Sequence, residues 1–194
     1  DSTHAIAFSE RLQKKGHELF AYRGRSTIDL SRNRIERISA ELNERGILFM
    51  TTLQELADIC DAFIITSADA TQHFRQFADL ATLEKPIFID KPLAQNYEQA
   101  SSIIELANEK GTPLMICSAL RFADEIQLAK SKKSIEAVDI IAPLPMLQEF
   151  DYFYYGIHAV EMVSALKGTS VKDIAVTFNE QQHFITFTFQ DGTV

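Results

Sequence analysis

Cysteine is scarce: Cys60 and Cys117 are the only two in 194 residues, and no metal-ligand spacing surrounds either. Both lie beside or within apolar segments and read as ordinary buried thiols, so no metal site and a reduced, cytoplasmic setting are expected. Basic charge is in deficit, with 19 Lys and Arg against 27 Asp and Glu and a formal charge of −8. That balance argues against a nucleic-acid groove or an anionic membrane as the main partner. No apolar run approaches the roughly 20 residues of a membrane span, and the basic, apolar, small-residue pattern of a signal peptide is absent. Internal repeats, low-complexity tracts and a glycine-rich phosphate loop are missing too. What is present is ordinary for a globular chain, 46% hydrophobic and 24% charged, and long enough to bury a core as one domain or two.

The stretch that organises the rest is Pro86-Ile87-Phe88-Ile89-Asp90-Lys91-Pro92. An apolar, β-branched run makes a short buried strand, and an acid, a lysine and a proline follow where it must end. In an open α/β sheet ligands collect at the carboxyl ends of the strands, which aims Lys91 at the ligand edge. The near-copy Glu84-Lys85-Pro86 precedes the strand and belongs to the opposite edge.

The remaining chain alternates. Asp1-Ser2-Thr3-His4 opens a helix with Ser2 or Thr3 as cap and Gly16 as stop, and His17 to Tyr22 is strand-like. The chain therefore opens on the helix of a β-α-β unit and reads as an interior fragment, N-terminally truncated. Ser31 is placed to cap a helix carrying Ile35, Ile38 and Leu42. Strands are expected at Ile47 to Met50, Asp61 to Thr66 and Leu114 to Cys117, with a capping box at Thr52 and Glu55. Helices carry Phe74 to Ala81 and Tyr97 to Lys110, the second stopped by Gly111. Such alternation calls for a doubly wound parallel sheet of Rossmann type over residues 1–118.

From Ser118 the rhythm changes. A helix over Ala119 to Lys133 and a strand over Ile135 to Ile141 are expected, then a break at Pro143 and Pro145. The aromatic run Phe150 to Tyr155 leads into a helix containing His158 and ending at Gly168. Ile174, Val176 and Phe178, then Ile185, Phe187 and Phe189, alternate as in a half-exposed antiparallel hairpin. Residues 119–194 thus read as the start of an α+β domain, truncated at Asp191-Gly192, for substrate binding and dimerisation.

Several side chains invite chemistry, each with a plain alternative. Arg23 and Arg25, where a ribose-binding acid is usual, either meet the 2′-phosphate of NADP or form a solvated loop. Lys91 is either an acid and anchor for a substrate hydroxyl or the end of a turn. His158, behind aromatic residues, is either a proton acceptor or a hydrogen-bonded core histidine. His73 by its position alone reads as a helix-surface residue, and His4 is equally open. Arg121 either holds an anion or pairs with Asp124 or Glu125.

Read together, Asp61 to His73, Pro86 to Ala94, Ser118 to Phe122 and Tyr154 to Glu161 resemble the glucose–fructose oxidoreductase / inositol dehydrogenase / MocA family. Asp90 stands where its Glu-Lys-Pro signature usually has glutamate. The resemblance implies an oxidoreductase that uses NAD or NADP on a secondary alcohol of a sugar, cyclitol or related polyol. It implies Lys91 and His158 as the catalytic pair. Ser67, Asp69, His73, Asp90 and Pro92 would border the nicotinamide, and the helix start at Ser2, Thr3 and His4 would face the pyrophosphate. Arg121 is counted with the cofactor-binding residues. Many members carry an aspartate four residues before the histidine; Tyr154 stands there and is taken to position the substrate hydroxyl or to mark a weakened relay. Relatives that hydrolyse glycosides with resident NAD, and a dinucleotide-binding regulator without catalysis, are the alternatives. A homo-oligomer through the C-terminal sheet is expected.

Overall fold

The computed structural model describes residues 2–26, 28–132, 134–144, 151–180 and 182–194. Asp1, Lys133, Pro145 and Phe150, used in the sequence reading, lie outside the described residues. The chain divides into two compact units, Asp1–Cys117 and Ser118–Val194.

The first unit runs α1 (Thr3–Lys14), β1 (Phe20–Tyr22), α2 (Asp29–Glu44), β2 (Leu48–Met50), α3 (Leu53–Ile59), β3 (Phe63–Ile65), a 3-10 turn (Ala70–Gln72), α4 (His73–Ala81), β4 (Ile87–Asp90), α5 (Tyr97–Lys110) and β5 (Leu114–Cys117). Every ladder in it is parallel: β1 pairs with β2, and β4 lies between β3 and β5. This is a Rossmann-type parallel arrangement; β1, β2 and β3 are shorter than the segments expected for them, and β5 matches its segment.

Local signals fix the ends. Asn96 Oδ1 accepts from Gln99 N at 2.9 Å to start α5, and Gly111 at φ 66° ends it in the left-handed region. Thr52 and Glu55 form the capping box of α3. The Nζ of Lys85 donates to the carbonyls of Ala57 and Cys60, both at 2.8 Å, so the upstream Glu-Lys-Pro copy closes the end of α3. Ser31 is a correction. The helix begins two residues before it, at Asp29, whose carboxylate suits the first turn; Ser31 is buried inside α2, and among the described residues its hydroxyl has no hydrogen-bond partner.

The β4 strand is covered on both faces. Ile87 and Ile89 enter a core with Phe63, Ile65, Phe77, Leu80 and Ile103. On the other face Phe88 meets Phe8 of α1 edge-on, 5.7 Å between centroids. A smaller cluster of Ile38, Leu42 and Ile47 serves β1 and β2.

The second unit contains a 3-10 turn (Ala119–Phe122), α6 (Asp124–Lys130), α7 (Asp151–Tyr154), α8 (Gly156–Lys167), β6 (Val171–Phe178) and β7 (His183–Phe189). The helix expected over Ala119 to Lys133 is divided, because Ala123 adopts an extended ψ of 145°. Ile135 to Ile141 forms no strand: none of its residues pairs in a ladder, and without a partner a strand has no hydrogen bonds to gain. Its start is held instead by Lys167, whose Nζ donates to Ile135 O at 3.0 Å. The hairpin is antiparallel as expected, and its register sets Ile174 opposite Phe187 and Val176 opposite Ile185 on one face. Among the described residues, no helix is long and apolar enough to cross a membrane.

Candidate active site

The loops at the carboxyl ends of β1, β3 and β4 are tied together by polar side chains. Ser26 Oγ, after β1, donates to Asp69 Oδ2 at 2.9 Å. Asp69 is buried, and its other oxygen accepts from Thr71 N at 3.1 Å and from the Thr71 hydroxyl, which caps the 3-10 turn. Ser67 Oγ donates to Gln76 at 2.7 Å.

His73 corrects the surface reading. It is fully buried, with Nδ1 3.1 Å from Leu93 O and Nε2 2.9 Å from Ser67 O. Periodicity alone could not show this, because Leu93 is brought over by the turn after β4. The ring staples the loop after β3 to the loop carrying Lys91, so His73 acts on loop geometry. A neutral ring donates to one of these part-buried carbonyls, and removing it leaves that acceptor unpaired; His73→Ala is expected to cost roughly 1–3 kcal/mol of stability in urea denaturation.

Lys91 follows β4 directly and is only 8% exposed, with Asp90 and Pro92 buried beside it. Burial holds its ammonium below the usual lysine range, and the Asp90 charge offsets part of that shift. His4 Nδ1 donates to Asp90 Oδ2 at 2.5 Å, and the ring of His4 leans edge-on against Phe8. At the start of α1, Ser2 is the cap, accepting from His4 N at 3.2 Å, and Thr3 is exposed. The first turn of α1, Asp90 and Lys91 are therefore one connected group.

A separate pocket of about 530 Å3 opens after β1, lined by Arg23, Gly24, Arg25, Ser26, Arg32, Ile35 and Glu36. Here Arg23 lies on an exposed loop, which agrees with the solvated-loop alternative, and it has a partner there. It forms a two-point ion pair with Glu36, donating from Nη1 to Oε2 at 3.0 Å, and this holds the Glu36 carboxyl below the usual range. Arg32 pairs with Asp29. Glu36 was not legible as a pocket residue, since it comes from α2 and its neighbours in sequence are unremarkable in type.

In the second unit, His158 lies in the first turn of α8, its backbone N donating to Tyr155 O at 3.0 Å and its ring edge-on to Tyr155. Its Nδ1 is 2.5 Å from the hydroxyl of Ser118, the cap of the 3-10 turn Ala119–Phe122. Tyr154 packs against Tyr155 and belongs to α7, so the helix is interrupted between Tyr154 and His158. Arg121 also corrects the reading. It pairs with neither Asp124 nor Glu125 but donates to Glu161 Oε2 of α8 at 2.6 Å, because the extended Ala123 ends its own turn. Ser118 was missed, although its place at a strand's carboxyl end was signal enough to flag it.

Residues 4–118 match the family GFO_IDH_MocA, described as an oxidoreductase family with an NAD-binding Rossmann fold, and the chain belongs to that family. Inositol 2-dehydrogenase of Klebsiella pneumoniae is 38% identical over 84 residues, 43% of this chain and 24% of that protein. The oxidoreductase YceM of Salmonella typhimurium is 34% identical over 77 residues, 40% of this chain and 25% of that protein. The aligned stretches thus span about a quarter of these relatives. Among solved structures, the WlbA dehydrogenase of Bordetella pertussis, in complex with NADH and UDP-GlcNAcA, superposes with a TM-score of 0.73 over 98% of this chain and 65% of that one, at 15% identity. The WlbA dehydrogenase from Chromobacterium violaceum gives 0.74 over 99% and 62%, also at 15%. At that identity the likeness is one of fold.

Proposed function

We propose that the protein is an NAD(P)-dependent dehydrogenase that oxidises a secondary alcohol of a sugar, cyclitol or related polyol. The observation that carries this reading is the buried Lys91 at the carboxyl end of β4, linked through Asp90 to the first turn of α1. The residues fit a dinucleotide: an arginine-lined pocket after β1 suits a phosphorylated ribose, and the start of α1 suits a pyrophosphate. A bound nicotinamide supplies the hydride acceptor. The chain's own residues handle charge and protons. Lys91 stabilises the alkoxide that develops on the substrate, and His158 takes the hydroxyl proton.

Arg23 and Arg25, both lining the pocket after β1, carry the choice between NADP and NAD. Arg25→Ala is expected to weaken NADPH binding roughly tenfold, the worth of one charged hydrogen bond, and to leave NADH binding unchanged. Isothermal titration of both cofactors reads the difference.

The hairpin face of Ile174, Val176 and Phe178 is exposed and apolar, which suits a second copy of the chain. Turnover tests the whole reading. Net change in nicotinamide absorbance with a member of a broad polyol panel supports a dehydrogenase. Glycoside cleavage without net absorbance change would replace it with hydrolysis, and cofactor binding with no turnover would replace it with a binding protein.

A further inference from the structure

His158 needs a defined tautomer to work as a base. A neutral imidazole carries one N–H: with hydrogen on Nδ1, the Nε2 lone pair is available to an alcohol proton, and with hydrogen on Nε2 it is not. We infer that Ser118 is the positioning residue that selects the first form, its hydroxyl oxygen accepting from His158 Nδ1. The inference rests on the dehydrogenase reading for its purpose, and on the geometry of the second unit for its content.

Three observations carry it. Ser118 is fully buried, and its Oγ lies 2.5 Å from Nδ1. The same Oγ accepts from Leu120 N at 3.2 Å, so the hydroxyl is anchored to backbone as the cap of the 3-10 turn Ala119–Phe122. A serine oxygen has two acceptor sites, and the capping bond leaves one for Nδ1–H. Finally, His158 is itself fixed, by its backbone bond to Tyr155 and by the edge contact of the two rings. Two anchored groups meeting at hydrogen-bond distance define one ring orientation.

The partner is a neutral hydroxyl, and this shapes the pH behaviour. A carboxylate on Nδ1 would favour the imidazolium and withhold the base until higher pH; a hydroxyl leaves the ring neutral sooner. The elements packed against α8 bring Arg121 from the 3-10 turn, Asp124, Glu125 and Lys130 from α6, and Tyr152 and Tyr154 from α7. Of these, Arg121 is paired with Glu161 and the Tyr152 hydroxyl meets His183, which tempers their effect on the imidazole.

The test is nitrogen NMR of the His158 ring in the full-length protein, with Ser118→Ala, Ser118→Thr and Ser118→Asp variants and pH profiles of kcat/KM. Hydrogen on Nδ1 in the native neutral ring, loss of that preference in Ser118→Ala and its return in Ser118→Thr are expected. Turnover should fall roughly tenfold in Ser118→Ala, mainly in kcat, the worth of one hydrogen bond. Ser118→Asp should move the acidic limb to higher pH. Hydrogen on Nε2 in the native ring, or ring shifts unmoved by Ser118→Ala, would overturn the inference. A protein that oxidises no polyol yet shows the Ser118-dependent tautomer would remove the dehydrogenase reading and leave the Ser118–His158 contact standing.

Discussion

Lys91→Ala is expected to reduce kcat by roughly 10²–10⁴-fold, the usual contribution of a positioned acid or base, with NADH affinity changed by no more than about threefold. The asymmetry follows from where the lysine sits. Its ammonium is buried at the end of β4, where a developing negative charge is poorly screened, so its benefit is felt in the transition state. Equal losses in turnover and cofactor binding would contradict the role. The same site predicts a pH effect. Burial lowers the lysine pKa and the Asp90 charge raises it, so Asp90→Asn removes the upward influence and the pKa falls further. If the protonated form is the active one, the alkaline limb of the kcat/KM profile moves to lower pH; an unmoved limb would show that another group sets it.

His158→Ala is expected to be of similar size, roughly 10²–10⁴-fold in kcat with cofactor binding intact, because the hydroxyl proton then has no positioned acceptor. It differs from the lysine variant in its pH dependence. The acidic limb, where the imidazole becomes protonated and ceases to be a base, should disappear in His158→Ala and persist in Lys91→Ala. Small bases such as imidazole should restore part of the lost rate. A persistent acidic limb in His158→Ala would assign the base to another residue.

Much of this architecture is written locally. The helix Tyr97–Lys110 and the strand Leu114–Cys117 are legible to the residue, since Asn96 starts one, Gly111 stops it and an apolar run defines the other. Lys91 is legible because a strand's end and a charged residue coincide. The parts that escaped are those decided by long-range meetings. Nothing near His73 foretells that the turn after β4 delivers Leu93 O to its ring, and nothing near Arg121 names Glu161, 40 residues on. Glu36 is ordinary in its own segment and acquires meaning only from Arg23, whereas Ser118 carried a local signal, its place directly after a strand. The strand expected at Ile135 to Ile141 shows the converse, an apolar pattern with no ladder to join.

The most direct test of the account is a titration of the full-length protein with NADH and NADPH, followed by nicotinamide fluorescence. The account predicts saturable binding of at least one, weakened by disruption of the His4–Asp90 contact at the start of α1 and changed by no more than about threefold in Lys91→Ala. No binding of either by a folded protein would contradict a dinucleotide site at the carboxyl edge of the parallel strands and, with it, the proposed dehydrogenase.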